Sequence, residues 1–154
     1  MKIAIFSDSH GIIRKMLDAC RDISPDLIIH LGDFVRDAMW LHENFPDTPL
    51  KSVRGNCDFA AIEREADTFF ADGLKIFLCH GHRYGVKRGL SELADAAALS
   101  GADIALFGHT HQSLVAEISG VTLINPGSAG DERRPTCAVL DTISREVRII
   151  GLDA

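Results

Sequence analysis

Short runs dominated by apolar residues, each stopped by a polar tip, recur along the first two thirds of the chain: Lys2 to Ser7, Leu27 to Leu31, Leu50 to Val53, Leu74 to Cys79 and Ile104 to Phe107. Runs of this length without a helical period predict buried strands. Between the first two, Gly11 to Ile23 carries Ile12, Ile13, Met16, Leu17, Ala19 and Cys20 on a broad helical stripe, and Ser24-Pro25 ends it. A second helix is predicted over Val35 to Glu43, stopped by Asn44 and Pro46. Strand, helix, strand is the βαβ pattern, and it predicts a parallel sheet.

The pattern changes in the middle. Thr68-Phe69-Phe70 and Leu74 to Cys79 flank Ala71-Asp72-Gly73, whose Asp-Gly pair predicts a hairpin. Leu90 to Leu99 predicts a helix stopped by Ser100-Gly101. Leu114 to Ile118, Val121 to Ile124, Cys137 to Leu140 and Val147 to Ile150 predict four strands, split by turns at Ser119-Gly120 and Asp141 to Glu146. These are expected to build a second, mostly antiparallel sheet. The fold class that follows is α/β, two packed mixed β-sheets flanked by helices, as one domain over residues 1–154.

Composition narrows the picture little. The chain is 46% hydrophobic and 25% charged, ordinary for a globular protein. At about 150 residues a chain can bury roughly 68–70% of its unfolded surface, so no disulfide or metal is needed merely to fold it. A net charge of -6 argues against dedicated nucleic-acid binding, which rests on clustered Lys and Arg. It does not exclude an anionic substrate, because a bound cation is often the largest local charge. Cys20, Cys57, Cys79 and Cys137 form no Cys-x-x-Cys pair and are expected as reduced thiols. The start of the sequence lacks a signal-peptide pattern, and no apolar run approaches the ~20 residues of a membrane-spanning helix. The expected location is cytoplasmic, with no membrane partner; homo-oligomerisation is left open.

The polar tips carry the chemistry. They read Asp8-Ser9-His10, Gly32-Asp33, Gly55-Asn56-Cys57-Asp58, His80-Gly81-His82 and Gly108-His109-Thr110-His111, and they converge on one sheet edge if the runs are strands. Singly, most are turn sequences: Gly-Asp and Gly-Asn are common in turns. Asp8 and His10, one residue apart, would point to the same side of an extended segment and share a cation. His80 and His82, and His109 and His111, repeat that spacing. Of the seven histidines only His30 and His42 fall outside the tips, and they are assigned to strand-end packing and helix surface. Oxygen and imidazole donors without a thiolate set suit manganese first, with nickel, iron or zinc as alternatives, and not a structural zinc. Two such ions about 3.5–4 Å apart can hold a bridging hydroxide and clamp an in-line displacement at phosphorus.

The ordered set Asp-x-His, Gly-Asp, Gly-Asn-x-Asp, a His after a strand, and Gly-His-x-His resembles the calcineurin-like metallophosphoesterase superfamily. More narrowly, Gly55-Asn56-Cys57-Asp58, Cys79-His80-Gly81-His82-Arg83-Tyr84-Gly85, Gly108-His109-Thr110-His111 and Asn125-Pro126-Gly127-Ser128 look like its small single-domain phosphodiesterase branch. The resemblance implies that Asp8, His10, Asp33 and His111 hold one divalent metal ion and that Asp33, Asn56, His80 and His109 hold the other, with Asp33 as the bridge. Asn56, Cys57, Asp58 and His82 are then the candidate catalytic residues, and Asn125 to Ser128 a loop that supports the site. The implied activity is metal-dependent hydrolysis of a small phosphodiester. Many members of the wider superfamily have His where this chain has Cys57, so proton donation by an imidazole is absent there; the small branch commonly shares the Cys. The competing class is a protein-binding scaffold, a role the same fold takes in a retromer subunit whose metal histidines are partly replaced. All seven ligand positions are intact here. A nuclease is disfavoured by the lack of a basic tract.

Overall fold

The computed structural model describes residues 1–152. Strands β1 (Lys2–Phe6), β2 (Leu27–His30) and β3 (Leu50–Ser52) alternate with helices α1 (Ile13–Ile23) and α2 (Asp37–Asn44). Then come β4 (Ala66–Ala71), β5 (Leu74–Cys79), α3 (Ser91–Leu99), β6 (Ile104–Leu106), β7 (Ser113–Ile118), β8 (Val121–Pro126), β9 (Thr136–Asp141) and β10 (Val147–Gly151). They build two five-stranded sheets, ordered β10-β9-β1-β2-β3 and β4-β5-β6-β8-β7.

The unbroken apolar runs are explained by burial on both faces. In β1, Ile3 and Ile5 point into the core between the sheets, where they meet Ile29, Leu31, Ile76, Leu78, Leu106 and Ile124. Ala4 and Phe6, alternating with them, face α1 and α2 through Met16, Cys20 and Leu41. The second sheet does the same: Phe77, Cys79, Ala105 and Leu123 turn outward onto Leu93, Ala94 and Ala97 of α3. The result is four layers, helix, sheet, sheet and helix.

The predicted four-strand tail sheet is corrected. β9 pairs antiparallel with β1 and carries β10, so both complete the first sheet. In the second sheet β4–β5 and β7–β8 are antiparallel while β5–β6 and β6–β8 are parallel, which makes it mixed. The reason lies in β9, whose Ala138 and Leu140 extend the central core beside Ile3 and Ile5. At the Asp72-Gly73 turn both residues have positive φ, 49° and 79°, as a two-residue hairpin with matching twist requires. Helix α2 starts two residues later than expected, because Phe34 is left-handed at φ 66° and residues 35–36 form a turn.

The four cysteines are free, Cys20, Cys79 and Cys137 buried and Cys57 exposed. Among the described residues no helix is long and apolar enough to cross a membrane.

Candidate metal centre

Strands β1, β2 and β3 run parallel in one sheet, as do β5, β6 and β8 in the other, and the loops after them meet at one rim. Asp8 and His10 follow β1, Asp33 follows β2, Asn56 follows β3, His80 follows β5, and His109 and His111 follow β6. Six of these seven gather in two groups, Asp8 with His10 and His111, and Asp33 with His80 and His109, whose ligand atoms lie within 4.8 Å of one another. Asn56 is exposed on the loop beside them, its Nδ2 3.6 Å from Cys57 Sγ.

Asp8 and His10 do come together, though not as alternate residues of an extended segment. Their φ angles are 52° and 47°, and Asp33, His109 and His111 are left-handed as well, at 56°, 69° and 59°. Asp and His tolerate this conformation better than most side chains, and such strain clusters at functional sites. The strand stops at Phe6, and the turn beyond it is fixed by Asp8 N–H donating to Gly32 C=O (3.0 Å) and Ile12 N–H to Ser9 C=O (2.9 Å). Gly108 is required by close approach: a Cβ there would fall on Ser7 Oγ and lie 2.8 Å from Asp8 Oδ2.

The two carboxylates are committed differently. Asp8 Oδ2 accepts from Ser7 Oγ (2.5 Å) and from His109 N–H (3.1 Å), which uses both of its lone pairs. Its Oδ1 is buried without a hydrogen-bond partner, 3.0 Å from His111 Nε2 and 3.8 Å from His80 Nε2. Asp33 Oδ1 accepts one bond, from Cys57 N–H at 2.9 Å, and lies 3.4 Å from His80 Nε2. His80 Nδ1 sits 2.8 Å from Leu31 C=O, which can only accept, so Nδ1 carries the proton and Nε2 faces the carboxylates. That Nε2 is buried and unpartnered too. A metal-binding histidine whose second nitrogen donates to a backbone carbonyl has this arrangement. Orphaned lone-pair donors, a carboxylate oxygen and an imidazole nitrogen, turned to one point fit a divalent cation.

The electrostatics agree. Burial acts to raise the Asp8 and Asp33 carboxyls, yet the neighbouring histidines and the N–H and O–H donors outweigh it and hold both below the usual carboxylate range. Burial acts to lower His80, and Asp33 and Asp8 outweigh it, so a proton is favoured on His80 when no cation is present. A metal ion competes for that same nitrogen. His109 is pushed down to about 4 by burial and then by His80 and Lys87, which leaves it neutral and able to donate a lone pair.

The remaining candidates divide. Asp58 turns both carboxylate oxygens to backbone: Oδ2 accepts from Asp33 N–H (2.9 Å) and Gly55 N–H (2.8 Å), and Oδ1 from Val35 N–H (2.9 Å). It joins the β2 and β3 loops. Cys57 is exposed at the rim, its thiol held above its usual value by partial desolvation and the Asp33 charge. His82 opens a 3₁₀ turn, His82–Tyr84, with its ring 5.5 Å from that of His80 and 6.1 Å from that of His109. Its Nδ1 is buried without a partner. The 125–128 loop braces the rim: Asn125 Nδ2 donates to Gly108 C=O and Thr110 Oγ1, both at 3.0 Å, and Ser128 Oγ to Asp8 C=O at 2.8 Å.

Sequence reasoning missed one layer. His30 is fully buried, and it is not mere strand-end packing. Its Nδ1 accepts from Gly32 N–H (3.2 Å), and its Nε2 lies 2.9 Å from Ser9 Oγ, which itself donates to Asp37 Oδ2 (2.7 Å). Asp37 also accepts Gly11 N–H (2.8 Å), so the network ties the Asp8–His10 turn to α2. Burial pushes His30 down to about 4, which keeps it neutral. Ser9, His30 and Asp37 come from three separate segments, and no spacing in the sequence links them. His42 is on the helix surface as expected.

A four-layer sandwich with acidic and imidazole donors converging at the strand ends defines the class of metal-dependent phosphoesterases. The chain belongs to the calcineurin-like phosphoesterase superfamily, whose domain matches residues 1–145. It is 35% identical over 131 residues to a protein of Bacillus subtilis named as a probable metallophosphoesterase, covering 83% of this chain and 75% of that one. It is 32% identical to a phosphodiesterase of Methanocaldococcus jannaschii over 99% of this chain and the whole of the other. The zinc complex of vacuolar protein sorting 29 from Entamoeba histolytica shares the fold, with a TM-score of 0.77 over 99% of this chain and all of that one at 20% identity.

Proposed function

We propose that this protein is a metal-dependent phosphodiesterase acting through a dinuclear centre, with manganese as the first candidate ion. The observation that carries the proposal is the pair of buried, unpartnered atoms, Asp8 Oδ1 and His80 Nε2, at the junction of two donor groups. Asp8, His10 and His111 would hold one ion, and His80, His109 and Asn56 the other. Asp33 suits the bridging place, since it accepts a single hydrogen bond and a carboxylate offers about four lone-pair sites. Ions bound there supply Lewis acidity toward a phosphoryl oxygen and acidify water at neutral pH.

The chain's own residues do the rest. Leu31 C=O and the Asp58 carboxylate fix His80 and the Asp33 loop, so the donor set is organised before any ion or substrate arrives. His82, whose buried Nδ1 lacks a hydrogen-bond partner beside His80 and His109, would hold or release a proton at the rim. Cys57, with a raised thiol pKa, stays neutral at pH 7 and is a weak proton donor compared with an imidazole. Turnover should therefore be best on diesters whose leaving group needs little protonation.

The test is hydrolysis of a bis-aryl phosphate beside its monoester, with and without manganese or nickel, before and after chelation. Metal-dependent turnover that favours the diester is expected. A rate indifferent to chelation would overturn the metal assignment, and preference for the monoester would make the protein a phosphatase. Metal binding without any turnover would favour the scaffold reading.

A further inference from the structure

An open cleft of about 530 Å³ lies against the rim, lined by Phe34, Arg36, Met39, Cys57, Phe59 and Ile62 among others. Its volume falls in the range of small-molecule sites. Two of the lining residues tie it to the donor groups: the Phe34 ring meets the His10 ring edge to face at 5.1 Å, and Cys57 N–H bonds Asp33 Oδ1. The outer wall is unusually apolar for a surface, with Phe59 at 92%, Ile62 at 97% and Met39 at 63% exposure.

Phe34 is the informative residue. At φ 66° a bulky side chain is an outlier, and its neighbours hold it there: Asp58 accepts the N–H of both Asp33 and Val35. In this conformation the Phe34 ring contacts His10 and also carries the Arg36 guanidinium 5.3 Å from its centroid. The candidate ligand Asp33 and the cleft-lining Phe34 are thus held by one carboxylate.

On the reading that the chain cleaves phosphodiesters, we propose that this cleft is the subsite for one substituent of the diester, and that it selects a flat aromatic ring over a short alkyl chain. Phe59 offers a ring face, Phe34 an aromatic edge, Met39 and Ile62 adaptable apolar contact, and a ring entering the cleft is removed from water against all four. Arg36 adds a cation that can stack on a ring. A simple aryl group and a nucleobase share this chemistry.

Three slowly cleaved analogues, whose only leaving group is methoxide, separate the alternatives: the methyl esters of benzylphosphonate, of propylphosphonate and of a thymidine 5′-phosphonate. Each is titrated calorimetrically into the manganese-loaded protein, so the readout is affinity and not turnover. The benzyl compound is expected to bind about tenfold more tightly than the propyl compound, a gap within reach of a few apolar contacts. Phe59→Ser and Ile62→Ser should each shrink that ratio to about twofold, and both residues are so exposed that folding is spared. Leu99→Ser, equally exposed but outside the cleft, should leave the ratio as it was. A thymidine analogue tighter than the benzyl one identifies a nucleobase; the reverse order identifies an aryl group. A benzyl-to-propyl ratio near one, or one that survives both cleft variants, overturns the proposal even if bis-aryl phosphate hydrolysis is metal-dependent. Loss of a dimer in light scattering with the ratio unchanged would overturn it in favour of an interface between copies. If no analogue binds and no diester is cleaved, the phosphodiesterase reading falls with it.

Discussion

Cys57 shows what a single residue can and cannot do at this rim. It stands next to Asn56 and gives its backbone N–H to Asp33, so the main chain at this position is structural whatever the side chain is. The thiol is exposed, and nothing requires it as a ligand, because two donor groups form without it. Cys57→Ser is therefore expected to keep both ions and most of the turnover on a bis-aryl phosphate, whose leaving group departs without protonation. Metal content measured beside the rate decides the matter: loss of either ion in the Ser variant would make Cys57 a ligand. His30 carries the opposite lesson. A buried imidazole that looked like packing is a hydrogen-bonded hub, and its neutral state follows from burial.

At the scale of elements, loops are organised by carboxylates that bind backbone. Asp58 collects three N–H groups from the loops after β2 and β3, and Asp37 collects the turn after β1 onto α2. Asp58→Asn keeps one acceptor oxygen and turns an NH₂ toward donors, leaving at least one backbone N–H unpaired. A loss of about 2 kcal/mol is expected, which for a domain of this size lowers the melting temperature by roughly 4–8 °C. Metal affinity should fall with it, since Asp33 is displaced. Calorimetry and a metal titration on the same variant test this: a lost rate with unchanged melting temperature and metal affinity would give Asp58 a direct chemical role instead. Asn125 braces the far side of the rim in the same manner, through Gly108 and Thr110.

At the scale of the whole molecule, the two sheets bring candidate ligands from opposite halves of the chain to one rim, and any ions bound there should in turn hold the sheets together. Asp8 and His10 come from the first sheet and His111 from the second; Asp33 comes from the first and His80 and His109 from the second. Manganese at about 100 times its dissociation constant adds about 2.7 kcal/mol for one site, or roughly 5–11 °C in melting temperature. Chelation should reverse the gain, and Asp33→Asn should abolish most of it if Asp33 is the bridge proposed above. A melting temperature indifferent to manganese and to chelator would contradict cross-sheet ligation.

The sequence alone determined the strands and the rim. Buried-strand runs, the Asp-Gly hairpin and the Gly-rich polar tips are local patterns, and each tip had to lie where its strand stopped. The candidate donors were therefore legible by number, and six of the seven gather in two groups. What the tertiary structure decided depends on partners far apart in the chain. β9 joins β1 because Ala138 and Leu140 complete a core that no local period describes. The left-handed turns at Asp8 and His10 replace the extended segment because strand pairing ends at Phe6 and Gly32 supplies the next hydrogen bond. The division into two donor groups arises only when loops from both sheets meet, while the Ser9–His30–Asp37 network and the Phe34 cleft join segments associated with the first sheet that are far apart in sequence. Hydrophobic periodicity specifies which face is buried; it carries no information on which polar group another loop will bring to that face.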